Sequence, residues 1–198
     1  EPILPVKLDI PEKVVAPEVA TLFVMDNSGS MNWAALGSGR SKQELATQAA
    51  ALAISRLDKH DYVGLIVFNN STDEVIPLAL NADPEENARK ALSVGTGGGT
   101  NMGPALDEAL IAMNAINVKQ KHVIVLSDGK SMGRNSLVGR AQQLAGAGIK
   151  VSTIGFGLDA DGPIMEQMAK AGGGEHYHVT NPNTLPRVFL KAVRLVRS

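Results

Sequence analysis

No cysteine occurs among the 198 residues. That excludes disulfides, thiolate metal sites and a cysteine nucleophile, and leaves the redox compartment open. Aromatic residues make up only 4% of the chain, so the core has to be built from Val, Ile, Leu, Ala and Met. Charge bias is missing as well. A formal net charge of −1 offers none of the basic excess that a nucleic-acid surface shows. No apolar run approaches the roughly 20 residues of a membrane span, so membrane insertion by this chain is not expected, and no signal-peptide pattern is visible. What the chain does have is a 44% apolar share, typical of a globular domain, and a length that suits one α/β domain with a sizeable core.

Prolines crowd the start: Pro2, Pro5, Pro11 and Pro17. Residues 1–18 therefore read as an extended linker, with an edge strand at Val6 to Ile10, and residues 19–198 as one domain. The chain opens without Met and ends abruptly at Ser198, which reads as a domain excised from a longer protein. From Ala20 onward, short apolar runs alternate with helical periodicity. Ala20 to Met25 reads as a strand buried on both faces. Ser41 to Leu57 reads as a helix with Ser41 and Glu44 as a capping box. Tyr62 to Asn70 and the "EVIPL" segment read as an antiparallel hairpin across Asn69-Asn70-Ser71. Helices are expected at Pro84 to Leu92, Pro104 to Ile116, Asn135 to Ala147, Pro163 to Ala171 and Thr184 to Val196. Strands are expected in "KHVIVLSDGK" (Lys121 to Lys130), ending in Asp128, in "IKVSTIGFG" and in "GEHYHVT". This alternation predicts an α/β, doubly wound, mostly parallel sheet with one antiparallel edge strand and helices on both faces.

Ligands of open parallel sheets bind beyond the carboxyl ends of the strands. Three polar clusters fall there: Asp26, Ser28 and Ser30 after the first strand, Thr100 after the glycine-rich "VGTGGGT" loop, and Asp128 after "HVIVLS". Side chains two apart in an extended segment point the same way, so Asp26, Ser28 and Ser30 are expected to face one point. All five are hard oxygen donors, which suits Mg²⁺, Mn²⁺ or Ca²⁺ rather than zinc or copper. Two carboxylates about neutralise a divalent ion and leave coordination positions for water or for a partner's Asp or Glu.

"DNSGSM", the downstream Thr100 and the strand-end Asp128 together resemble the metal-ion-dependent adhesion site of von Willebrand factor A domains, in particular bacterial ones. The flanks "GGGTNMGPALDEAL", "KHVIVLSDGK" and "VSTIGFG" match as well, and the resemblance runs from about Val19 to Arg197. It implies a doubly wound sheet with one antiparallel edge strand. It implies a metal held directly by Ser28, Ser30 and Thr100, with Asp26 and Asp128 direct or through water. It further implies a protein-binding module, not an enzyme, within a larger and often membrane-associated parent protein. The end of the chain looks like the junction to a further domain.

Other readings compete. "GTGGGT" lacks the G-x-G-x-x-G context of a dinucleotide site, and no Walker A sequence exists; its glycines are read as allowing close backbone approach. "DADG" (Asp159 to Gly162) reads as a turn and helix N-cap, and His60, His122, His176 and His178 as structural residues. Trp33 is either core or a partner contact. Lys130 and Arg134 either attract an acidic ligand or sit in a solvated loop. A metal-assisted hydrolase would need a general base beyond Asp26 and Asp128, and a purely architectural domain is the third alternative.

Overall fold

Val19–Asp26 forms β1, and every residue of it is buried. A strand with no solvent face has no reason to alternate apolar with polar residues, which explains its continuous apolar run. The computed structural model describes residues 18–194; the expected strand at Val6 to Ile10 lies outside the described residues. After β1 come α1 (Lys42–Arg56), β2 (Tyr62–Phe68), β3 (Thr72–Leu80), α2 (Pro84–Leu92), α3 (Met102–Asn114) and β4 (Gln120–Ser127). The chain continues through α4 (Leu137–Gly146), β5 (Ile149–Phe156), α5 (Gly162–Ala171), β6 (Gly173–Val179) and α6 (Leu185–Arg194).

The strands lie in the order β3-β2-β1-β4-β5-β6. β3 is antiparallel to β2; the other neighbours run parallel. The chain leaves β1 for β2 on one side and later returns to lay β4 on the other side of β1. The carboxyl ends of β1 and β4 therefore flank the crevice where the order reverses. Asp26 closes one of these strands and Asp128 follows the other.

Alternate strand residues feed two cores. Phe23, Met25, Leu65, Val67, Ile124 and Leu126 pack with α1 and α6. Leu22, Val24, Ile66, Phe68, Val123 and Val125 pack with α3 and α4. With so few aromatics, each counts. Phe23 stacks on Phe189 of α6 at 5.9 Å between ring centroids, and burying one such side chain stabilises by about 1.5–3 kcal/mol.

Ser41 accepts from the Glu44 N–H, and the Glu44 carboxylate accepts from the Ser41 N–H, so the capping box stands as expected. Several helix ends shift. α3 starts two residues before Pro104, which keeps the proline in the first turn, where a missing N–H costs nothing. α4 starts at Leu137, after a 3₁₀ turn at Arg134–Ser136. α6 starts at Leu185, after another at Pro182–Thr184. Asp161 takes the N-cap position of α5 without a side-chain cap. Its carboxylate accepts from the Arg134 guanidinium instead, a charged donor that outcompetes a backbone N–H.

Candidate metal centre

Asp26 ends β1 fully buried, and its two carboxylate oxygens do different work. Oδ1 accepts from the Ser28 N–H at 2.8 Å, an Asx-type turn that swings the chain off the sheet. Oδ2 accepts from Ser127 Oγ at 2.6 Å. Burial pushes the Asp26 carboxyl above its ordinary value, and hydrogen bonds from Ser127 and Ser28 oppose that rise. The charge of Asp128 adds to it. Asp26 is thus a buried carboxyl whose charged form is only partly compensated by its hydrogen bonds.

The chain beyond Ser28 is not extended, contrary to expectation. Gly29–Asn32 forms a single 3₁₀ turn. Ser28 and Ser30 still meet, at 3.2 Å between their Oγ atoms, because the turn folds the backbone round the site rather than because alternate side chains share a face. Ser30 Oγ then donates to Asp128 Oδ1 at 2.8 Å. A hydroxyl that gives its proton to a carboxylate keeps its lone pairs available to a cation. Asp26, Ser28, Ser30 and Asp128 form one hydrogen-bonded ladder across the β1/β4 crevice.

Thr100 sits in a loop held against this ladder by its backbone. Gly29 N–H donates to the Gly98 carbonyl at 3.0 Å, and Gly97 N–H to the Asn27 carbonyl at 2.9 Å. The Thr100 carbonyl accepts from the Met132 N–H at 2.8 Å, in the loop that follows Asp128. The glycines have specific reasons to be there. Gly98 has φ +73°, and a Cβ at Gly99 would lie 2.5 Å from Asn70 Oδ1. Four of the five expected residues are joined side chain to side chain or through the Ser28 N–H; Thr100 is not bonded to any of them, and its carbonyl is tied to Met132 in the neighbouring loop.

Two residues that touch the cluster escaped the sequence reading. Ser127 is one. Lys42 is the other: its side chain is only 8% exposed and its Nζ lies 2.6 Å from Asp128 Oδ2. A lysine at the first position of a helix opposes the positive end of the helix dipole. That misplacement was the available signal. Of the loop cations, Arg134 is committed to Asp161, which removes it as a free anion-binding group. Trp33 is 64% exposed, which settles its position against the core.

Does this donor set fit the divalent cation that the resemblance implies? Two buried carboxylates and adjacent hydroxyls converge, and Lys42 compensates only one of the two negative charges. Among the described residues no group of three or more His, Cys, Asp or Glu side chains is placed to hold a metal ion; the donors that do converge, from Asp26, Ser28, Ser30 and Asp128, are all hard oxygens. This set fits a hard divalent ion with water-filled positions.

The family model described as von Willebrand factor type A domain matches residues 22–191. The chain belongs to this family. Solved structures share the fold of this von Willebrand factor A domain. The conserved hypothetical protein BatB from Bacteroides thetaiotaomicron is 22% identical with a TM-score of 0.78, covering 90% of this chain and 98% of that one. An aerotolerance-related membrane protein from Bacteroides fragilis is 20% identical at a TM-score of 0.77, with 89% and 99% covered. A von Willebrand factor type A protein from Catenulispora acidiphila is 24% identical at 0.77, and this chain spans 89% of its own length and 42% of that chain. Comparison with curated proteins gives no match. No helix among the described residues is long and apolar enough to cross a membrane.

Proposed function

We propose that this von Willebrand factor A domain is a divalent-metal-dependent protein-binding module of a larger protein. Its ion, Mg²⁺ or else Mn²⁺ or Ca²⁺, is held by Asp26, Ser28, Ser30, Thr100 and Asp128 and takes an Asp or Glu carboxylate from the partner. The observation that carries this reading is the ladder from Asp26 to Asp128, with Asp26 buried and its charge only partly offset. A bound divalent ion would supply Lewis acidity toward that carboxylate. The chain's own part is to hold the oxygens in place and to keep the surrounding backbone fixed.

The rim supports a protein partner. Trp33, Leu36 and Leu158 are 64%, 76% and 72% exposed and border a cleft of about 150 Å³ whose lining includes Lys42. An apolar rim beside a polar centre suits a protein surface that presents one acidic side chain among apolar neighbours. A non-catalytic role is supported by the carboxylates themselves: Asp26 accepts from Ser28 and Ser127, and Asp128 from Ser30 and Lys42. Neither is left as a free general base. The membrane protein among the structural neighbours favours a membrane-associated parent.

Millimolar Mg²⁺ should raise the melting temperature of the wild type, because an ion bound only to the native state must stabilise it. Asp26→Ala should lose that rise and, used as bait, should retain no Mg²⁺-dependent partner. Partner capture that is indifferent to excess chelator would reject the reading. Trp33→Ala should leave stability within about 0.5 kcal/mol, as exposed substitutions do. It should nevertheless weaken partner capture several-fold in the same pull-down; unchanged capture would remove Trp33 from the footprint.

A further inference from the structure

Lys42 is the member of the centre that metal binding does not ask for. Its ammonium is confined on three sides. It lies 2.6 Å from Asp128 Oδ2 and 5.8 Å from the Trp33 ring centroid. At Gly157 it is so close to the backbone that a Cβ there would meet Lys42 Cε at 3.4 Å and Nζ at 3.5 Å. With Ser30 on Oδ1 and Lys42 on Oδ2, both oxygens of Asp128 are engaged by the chain itself.

We propose that Lys42 is a built-in counter-ion: it assembles the centre before a metal arrives and, by its charge, limits how tightly a divalent ion is then held. The inference rests on the metal-binding reading above and adds a determinant to it. Without Lys42, the repulsion between the two buried carboxylates joined through Ser28 and Ser30 would go uncompensated, and Asp128 would be a buried charge without an ion-pair partner. With Lys42, the ammonium and an incoming ion draw on the same carboxylate and oppose each other. The charge balance changes accordingly. Asp26, Asp128 and Lys42 leave one negative charge, so a divalent ion turns the centre positive by one, and a partner carboxylate restores neutrality. Asp26 and Asp128 alone would be satisfied by the ion and would have less call on an anion. Lys42 therefore gives up metal affinity and strengthens the demand for an acidic partner.

The test is calorimetric titration of the intact chain with Mn²⁺ alone, alongside thermal melts with and without the ion. Lys42→Met should bind Mn²⁺ at least tenfold more tightly than the wild type and melt lower when metal-free, the gap closing at saturating Mn²⁺. Lys42→Gln, which keeps a donor to Asp128 without the charge, should show the same tightening and decides the matter if Lys42→Met does not fold. Lys42→Arg should stay within threefold of the wild type. Binding by the wild type but equal or weaker binding by both neutral variants overturns this inference alone. Absence of Mn²⁺ binding by every variant and the wild type overturns it together with the metal-binding reading. Binding by the neutral variants alone supports it in its strongest form.

Discussion

Asp128→Ala should destabilise the metal-free domain by about 3–5 kcal/mol, the cost of removing one partner of a buried ion pair. Lys42 would be left with its ammonium among buried atoms and no anion, and Ser30 Oγ would lose its acceptor. Urea unfolding followed by circular dichroism at neutral pH measures the loss directly, and a melt should fall by roughly 2–4 °C per kcal/mol for a domain of this size. The double variant Lys42→Met, Asp128→Ala decides the cause. With both charges gone, more than half of the lost stability should return, while metal binding should not, because a carboxylate is still missing. The coupling between the two sites should exceed about 1 kcal/mol, as expected for residues in direct contact. A loss below about 1 kcal/mol in the single variant would mean that Lys42 swings into solvent at no cost, and that the pair contributes nothing to the fold.

The same pair shows where the sequence was readable and where it was not. The double winding was legible because β1 and β4 carry apolar runs without alternation, Leu22 to Met25 and Val123 to Leu126, the mark of strands covered on both faces, and because Ser41-x-x-Glu44 and Pro84 mark helix starts by local chemistry. Asp26 and Asp128 were legible because strand ends in a parallel sheet have a fixed meaning. The spatial device was not. The 3₁₀ turn after Ser28 depends on hydrogen bonds from Ser28 to Asp26 and from Gly29 to Gly98, the second across a distance in sequence that no local pattern encodes. Lys42 was hidden for the same reason: its partner is 86 positions away. Asp161 marks the limit of local rules from the other side, since its place before α5 fits an N-cap and a distant Arg134 takes the carboxylate.

A second buried titratable group lies far from this centre, in the middle of the sheet, and should govern how the domain responds to acid. His122 of β4 is fully buried. Its Nε2 lies 2.8 Å from Ser152 Oγ on β5, and its Nδ1 has no hydrogen-bond partner among the described residues. Burial lowers its pKa from the ordinary 6.5 to about 3, and the charge of Lys150 adds to the fall. The unfolded chain takes up a proton on this imidazole as pH drops through 6.5, and the folded chain refuses it until about pH 3. The contribution to stability is therefore fully present above pH 6.5 and is lost progressively toward pH 3, on the order of 5 kcal/mol in all. Within that window the slope approaches about 1.4 kcal/mol per pH unit for one proton. Asp26 acts with the opposite sign, since its raised pKa favours the folded state as acid protonates it, so the wild-type profile alone mixes the two. Comparison with His122→Gln separates them: the amide keeps a polar contact for Ser152 but cannot charge. Urea midpoints measured at pH 7.5, 6, 5 and 4 should converge, the wild type losing its advantage as pH falls and the variant surviving to lower pH. Parallel profiles for the two proteins would show that the imidazole finds a proton, or a way to solvent, without unfolding the sheet around it.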